Sequence, residues 1–245
     1  MDLKFENGYI FNNHKMQFFL FPSNSFICLL NEILLNENVE KNEKIFIESS
    51  KIDTYILFQK INQEPKSKLD KLKKFLEIIN SFGMGEIEIQ YINMDIAIFN
   101  FKHMVLDNLY KNLYGKPPKY FLGEILIGYL INFLRYNYKI EVEYNYKKFN
   151  SGIIINCDFT DEKIDSEDLE KYSYNEEEKG EMSNVLKKII SNKHIVIKDG
   201  TFNIWNTFGV LTPYFYLIEM TKKLNSNYEL FFEKLGLMQS KAAVE

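Results

Sequence analysis

Cysteine is nearly missing from this chain: Cys28 and Cys157 are the only two in 245 residues. They are too few for a disulfide framework and have no metal-binding spacing. Glycine (11) and proline (5) are also sparse, which argues against a disordered chain. His14, His103 and His194 are the only histidines; nothing in their spacing suggests ligands, and each is read as structural or surface. No Lys/Arg-rich stripe stands out and the formal net charge is only -4, so no nucleic-acid surface is expected. No apolar run is long and unbroken enough to span a bilayer. No basic segment followed by an apolar one opens the chain as a secretory signal would. A cytoplasmic protein is the expectation. A dinucleotide-type glycine fingerprint is missing too: Gly83 and Gly85 lack a third glycine and follow a helical pattern. There is no Gly-x-Ser-x-Gly elbow. Asp53, Asp95 and Asp107 are potential acids or bases without an identifiable partner. No catalytic residue, metal or cofactor is therefore assigned, and a noncatalytic role is favoured over an enzyme.

What the chain does have is apolar mass. Hydrophobic residues make up 46% and aromatics 16%, enough for a sizeable core. Residues 8–21 read as a hairpin or two short strands, ended by Pro22, with Ser23 placed to cap a helix over 25–35. A second helix is expected over 43–61, with Ile45, Ile52, Tyr55, Ile56 and Phe58 inward, broken by Pro65. Ser67 opens a third, burying Leu69, Leu72, Phe75, Leu76 and Ile79, and Gly83 suits its C-cap. The period then changes to two: Ile87, Ile89 and Tyr91 alternate with Glu86, Glu88 and Gln90. Asn93 turns the chain into a strand over 96–101. A helix over about 103–113 and a strongly apolar one over 121–134 follow. The latter carries Gly123 and Gly128, which are not stacked on one face and are expected to permit separate close contacts. Strands are expected over 138–144 and 152–159, and 161–181 is an acidic linker. Helices segregated from hairpin-like strand pairs predict an α+β fold with an antiparallel sheet.

The chain also begins the same pattern twice. Asn7-Gly8-Tyr9-Ile10-Phe11, Phe19-Leu20-Phe21-Pro22 and the helical set Phe26, Leu29, Leu30 and Ile33 open it. Asp199-Gly200-Thr201-Phe202-Asn203, Val210-Leu211-Thr212-Pro213 and Leu217, Met220 and Leu224 follow in the same order. Ile45-Phe46-Ile47-Glu48 has its counterpart in Leu230-Phe231-Phe232-Glu233. A repeat this long implies a duplicated domain rather than a solenoid. The organisation expected is a complete domain over 1–160, the linker, and a partial second copy over 182–245 that stops early, as a fragment or a degenerate tandem would.

The order and spacing of several segments resemble the hydrocarbon-binding domain family named after 4-vinyl reductase, over roughly residues 7–160. The segments are Leu20-Phe21-Pro22, Phe82-Gly83-Met84-Gly85-Glu86-Ile87-Glu88-Ile89, Tyr120-Phe121-Leu122-Gly123-Glu124-Ile125-Leu126-Ile127-Gly128, Lys139-Ile140-Glu141-Val142-Glu143 and Ile153-Ile154-Ile155-Asn156-Cys157-Asp158-Phe159. The resemblance implies a fold shared with TRAPP-complex subunits, with an apolar cavity and a role in binding small hydrophobic ligands, often as a sensor. Members commonly carry a cysteine cluster across the last two strands. Here the stretch Tyr144-Asn145-Tyr146-Lys147-Lys148-Phe149-Asn150 holds no cysteine or histidine, so no zinc site is expected.

The expected ligand-binding set is Phe82, Met84, Phe101, Met104, Phe121, Ile125 and Tyr129, where the strands meet the later helices. Ordinary core packing is the competing reading of these residues. Cys28 is expected to be a buried, inert thiol on an apolar helix face. Two functions follow: noncatalytic binding of a small hydrophobic ligand or lipid, or an assembly protein forming a homo-dimer through its apolar helices.

Overall fold

A computed structural model describes residues 4–6, 9–11, 16–22, 26–27, 30, 39–64, 66–118, 121–149, 152–164, 195–198, 201–204 and 207–223. Two antiparallel sheets and the helices between them share one apolar core. The first sheet joins both ends of the described chain. Strands β1 (Lys4–Glu6), β2 (Tyr9–Phe11) and β3 (Gln17–Pro22) form a meander, as do β8 (Ile195–Lys198), β9 (Thr201–Ile204) and β10 (Thr207–Pro213). The six-stranded order is β1-β2-β3-β10-β9-β8, with β3 and β10 antiparallel at the centre. The two strands expected over 8–21 are β2 and β3, which pair antiparallel, and β1 precedes them.

The second sheet has the order β4-β5-β7-β6, with β4 at Glu86–Ile92, β5 at Ile96–Lys102, β6 at Val142–Phe149 and β7 at Gly152–Phe159. All its pairings are antiparallel. One face is apolar and buried, carrying Ile87, Ala97, Phe99, Phe101, Ile153, Ile155 and Cys157. Strict alternation places Glu88, Asn100 and Asp158 on the other face. Asn93 makes the β4–β5 turn: its Oδ1 accepts from the amides of Asp95 and Ile96, both at 2.8 Å. A register shift between Ile89 and Tyr91 interrupts the β4 alternation. That bulge is why Tyr91, expected inward, is exposed.

The helices are α1 (Val39–Asn62), α2 (Lys68–Ile79), α3 (Val105–Tyr114), α4 (Glu124–Tyr138) and α5 (Tyr214–Lys223). Phe26, Ile27 and Leu30 are also helical and fully buried; Cys28 lies outside the described residues. Ser67 caps α2, its Oγ accepting from the Asp70 amide at 3.1 Å. Of the five apolar residues assigned inward there, Leu69 is exposed, because it sits in the first turn before the helix reaches the core, and Ile78 is buried instead. Gly83 closes the following 3-10 turn at φ 80°. In α1, Ile52 and Ile56 are buried and Tyr55 and Phe58 pack at the margin; the Ile45 side chain lies outside the described set.

Helix α4 is the axis of the molecule. Every residue from Glu124 to Leu134 is buried, so it is apolar all round, as a central helix must be. It lies tight against α1. A Cβ on Gly128 would come within 2.8 Å of the Phe46 carbonyl oxygen and 3.1 Å of Ser50 Oγ. Asn132 bridges the same crossing, Nδ2 donating to the Ile47 carbonyl at 2.7 Å and to Ser50 Oγ at 2.9 Å. Phe133 stacks on Phe75 of α2 at 4.0 Å. The helix continues through Tyr138 and ends on left-handed Lys139 at φ 62°. The strand expected over 138–144 therefore begins only at Val142 and runs on through Phe149. Burial of Asn137, whose Nδ2 donates to the Lys68 carbonyl at 3.0 Å, holds that last helical turn. Residues 165–191, covering most of the acidic linker and the helix expected near 182–191, lie outside the described residues, as do 230–245. Among the described residues no helix is long and apolar enough to cross a membrane.

Candidate functional site

Six of the seven residues assigned to the ligand set are buried: Phe82, Met84, Phe101, Phe121, Ile125 and Tyr129. Met104 packs against them while staying partly accessible. All seven belong to the one core, but their ring contacts divide them between two places.

The first place lies at the end of β5. Phe101, on the buried face of the strand, meets Phe121 edge to face at 5.3 Å, and Phe121 meets Tyr146 of β6 at 5.5 Å. Two glycines make room for these rings. A Cβ on Gly85 (φ 144°) would stand 2.7 Å from the Phe101 ring. One on Gly123 would stand 2.2 Å from Phe121 and 2.9 Å from Phe101. Gly123 and Gly128 thus serve two unrelated close contacts, as their spacing predicted. His103 leaves β5 at φ 50°. Its ring is at the surface, Nε2 3.7 Å from Glu86 Oε2.

Beside these rings lies a buried acid. Asp107, in the first turn of α3, is 9% exposed, and among the described residues no side chain hydrogen-bonds its carboxylate oxygens. It lies near the amides of Leu122 and Gly123, where α4 is about to start, and near Lys148. Burial dominates over all three and pushes its carboxyl up to about 6. Lys148 Nζ sits over the Phe121 ring, 5.1 Å from its centre. The result is a pair of aromatic rings in contact, a cation over one of them, and a buried carboxylate beside the start of α4. This arrangement can hold an apolar body with one polar group.

The second place lies under the six-stranded sheet. Phe82 meets Phe18 at 5.4 Å and Tyr129 at 5.6 Å. Tyr129 faces Tyr216 of α5 at 5.6 Å, and its hydroxyl lies 3.4 Å from Asp53 Oδ2. Asp53 is fully buried and accepts the Tyr216 amide at 2.5 Å, so a carboxylate from α1 caps the first turn of α5. The Tyr216 hydroxyl is buried and has no hydrogen-bond partner among the described residues, and burial holds it well above the ordinary tyrosine range.

Sequence reasoning singled out Asp53 and Asp107 without finding their surroundings, and it missed Tyr146, Lys148 and Tyr216. Only for Tyr216 was there a signal: it stands directly before Leu217, the first residue of the recurring helical set. Asp95 is exposed and belongs to the β4–β5 turn. Cys157 is buried, and burial pushes its thiol up to about 12, which makes it a poor nucleophile. His14 and His194 lie outside the described residues. Among the described residues no group of three or more His, Cys, Asp or Glu side chains is placed to hold a metal.

No family model matches the chain, and neither does any curated protein. Solved structures do. The chain shares the fold of the phenol-responsive sensory domain of the transcription activator PoxR, whose structure contains phenol. The TM-score is 0.54 at 11% identity, covering 64% of this chain and 84% of that one. A trafficking protein particle complex subunit 3 from Naegleria fowleri, covalently bound to palmitic acid, aligns at a TM-score of 0.40 and 13% identity, covering 58% of this chain and 95% of that one.

Proposed function

We propose that this protein binds a small hydrophobic ligand, noncatalytically, between the Phe101 end of the four-stranded sheet and the start of α4. The reading is supported chiefly by the fold, since the PoxR domain that shares it responds to phenol. The site chemistry agrees. Phe101, Phe121 and Tyr146 offer aromatic faces, Met104 and Ile125 of the same core would add adaptable apolar surface, and Asp107 offers a buried carboxylate that no described side chain engages. An aromatic or short aliphatic molecule with one hydroxyl donor fits this set. Its apolar body gains about 0.8 kcal/mol per buried CH₂, and its hydroxyl donates to the buried carboxylate. Sensing would follow if the ligand moves Phe121, whose ring stands between the interior and Lys148.

The test is thermal denaturation of the whole chain with phenol, toluene and a medium-chain fatty acid. Binding to the folded state alone raises the melting temperature, by about 2.7 kcal/mol of stability at 100 times Kd. We expect phenol to stabilise more than toluene, and the difference to vanish in Asp107→Leu, which has no acceptor. No stabilisation by any of the three would end the reading.

A further inference from the structure

We infer that the C-terminal unit β8-β9-β10-α5 occupies the place of a second copy's N-terminal unit, so that the chain completes within itself the interface of a two-fold dimer. Three observations carry this, and none depends on the ligand.

The first is sequence. Gly8 and Gly200, Pro22 and Pro213, and Phe26 and Leu217 hold equivalent places in the two repeated patterns. The second is register. In the first meander Glu6 pairs with Tyr9, Phe5 with Ile10 and Lys4 with Phe11. In the second, the equivalent residues pair: Lys198 with Thr201, Ile197 with Phe202 and Val196 with Asn203. Likewise Ile10–Phe18 and Phe11–Gln17 are matched by Phe202–Gly209 and Asn203–Phe208. Two hairpins of unrelated origin have no reason to agree at every pair.

The third is the seam. Leu20 and Leu211 hold the same place in their patterns, and they face each other across β3 and β10. The flanking pairs exchange about them: Phe19 with Thr212 against Phe21 with Val210, and Phe18 with Pro213 against Pro22 with Gly209. A local two-fold axis therefore passes through the Leu20–Leu211 pair. This is the geometry of an isologous contact between identical strands. The six-stranded order reads the same from either end in these terms. In Phe18-Phe19-Leu20-Phe21, β3 has the composition of an edge that must be covered, and β10 covers it. The covering unit also reaches the interior, bringing the Tyr216 ring to Tyr129 and its amide to Asp53. The homo-dimer expected from the apolar helices is not needed for them, since α4 is enclosed by its own chain.

The experiment opens the seam in the full chain. Wild-type protein should run as a monomer of 29.2 kDa by light scattering. Leu211→Asp places a charge in the buried centre of β10 and should release the unit, letting β3 of one chain pair with β3 of another, so that the mass doubles. In a Cys28→Ser background carrying Leu211→Asp, Leu20→Cys should then cross-link between chains, because residue 20 meets itself at the axis. Phe18→Cys, which meets residue 22, should not. A folded, monomeric Leu211→Asp protein, or a wild-type protein that is already a dimer cross-linked through Leu20→Cys, overturns the inference. Should circular dichroism show Leu211→Asp unfolded, a protease site placed within residues 165–190 decides. The cut pieces must co-elute one to one, and their separation without denaturant overturns the inference.

Discussion

Asp107 gives the sharpest quantitative prediction. In an unfolded chain its carboxyl ionises near 3.8; in the folded protein burial raises that to about 6. The folded state therefore binds the proton more tightly. Stability contributed at this position is intact below about pH 4, falls as the pH climbs through the interval, and is at its lowest above pH 6. At 1.36 kcal/mol per pKa unit the full penalty is about 3 kcal/mol. Asp107→Asn cannot ionise and escapes it. The value of about 6 already includes the favourable interactions of the carboxylate, so the expected gain at pH 7.5 is the full penalty, about 3 kcal/mol. For a chain of this size that is roughly 6–12 °C in melting temperature. The assay is thermal melting of wild type and variant by circular dichroism at half-unit steps from pH 3.5 to 8. The two curves should coincide at the acid end and separate between pH 4 and 6, with the variant above. A variant that is less stable at pH 7.5, or a gap that does not change with pH, would refute the reasoning.

The remaining predictions concern packing and reactivity. Gly128→Ala should destabilise by about 1–3 kcal/mol in urea unfolding, because the added methyl meets the Phe46 backbone rather than a side chain that can move. Phe133→Ala, which removes a buried ring stacked on Phe75, should cost about 3–5 kcal/mol by the same measurement. Asp53→Ala should cost about 1–3 kcal/mol and expose the first turn of α5 to amide hydrogen exchange, since the Tyr216 amide loses its acceptor. In a Cys28→Ser background, Cys157 should resist maleimide at pH 7.5 until denaturant opens the core.

Much of the fold was legible because local signals agreed. Ser67 reads as a cap and is one; Asn93 reads as a turn and makes it with its own side chain. The strand over 152–159 was placed at its observed ends, since glycine and an isoleucine run leave little choice. Errors arose where distant contacts overruled the local pattern. The tyrosines around Asn137 look like a strand, yet a hydrogen bond from Asn137 to Lys68 keeps them helical. Tyr91 fits the alternation that a bulge then breaks. The site was half legible. Apolar spacing picked out buried rings, but it could not show that Phe101 and Phe121 meet while Phe82 and Tyr129 turn to another part of the core. Asp107 looked like any acid in a helix's first turn, and only its burial sets it apart. A recurring order of residues was visible in the sequence, whereas the pairing of β3 with β10 is a contact between distant parts of the chain that no local signal encodes.

Ligand binding in the interior is tested most directly by methyl NMR. The chain, labelled at isoleucine methyls, is titrated with phenol. Saturable shifts at Ile153, which pairs with Phe101 across β5 and β7, and at Ile125, at the start of α4, with Ile52 and Ile61 on α1 unmoved, are the result expected here. Shifts that never saturate, or that leave Ile125 and Ile153 untouched, would contradict it.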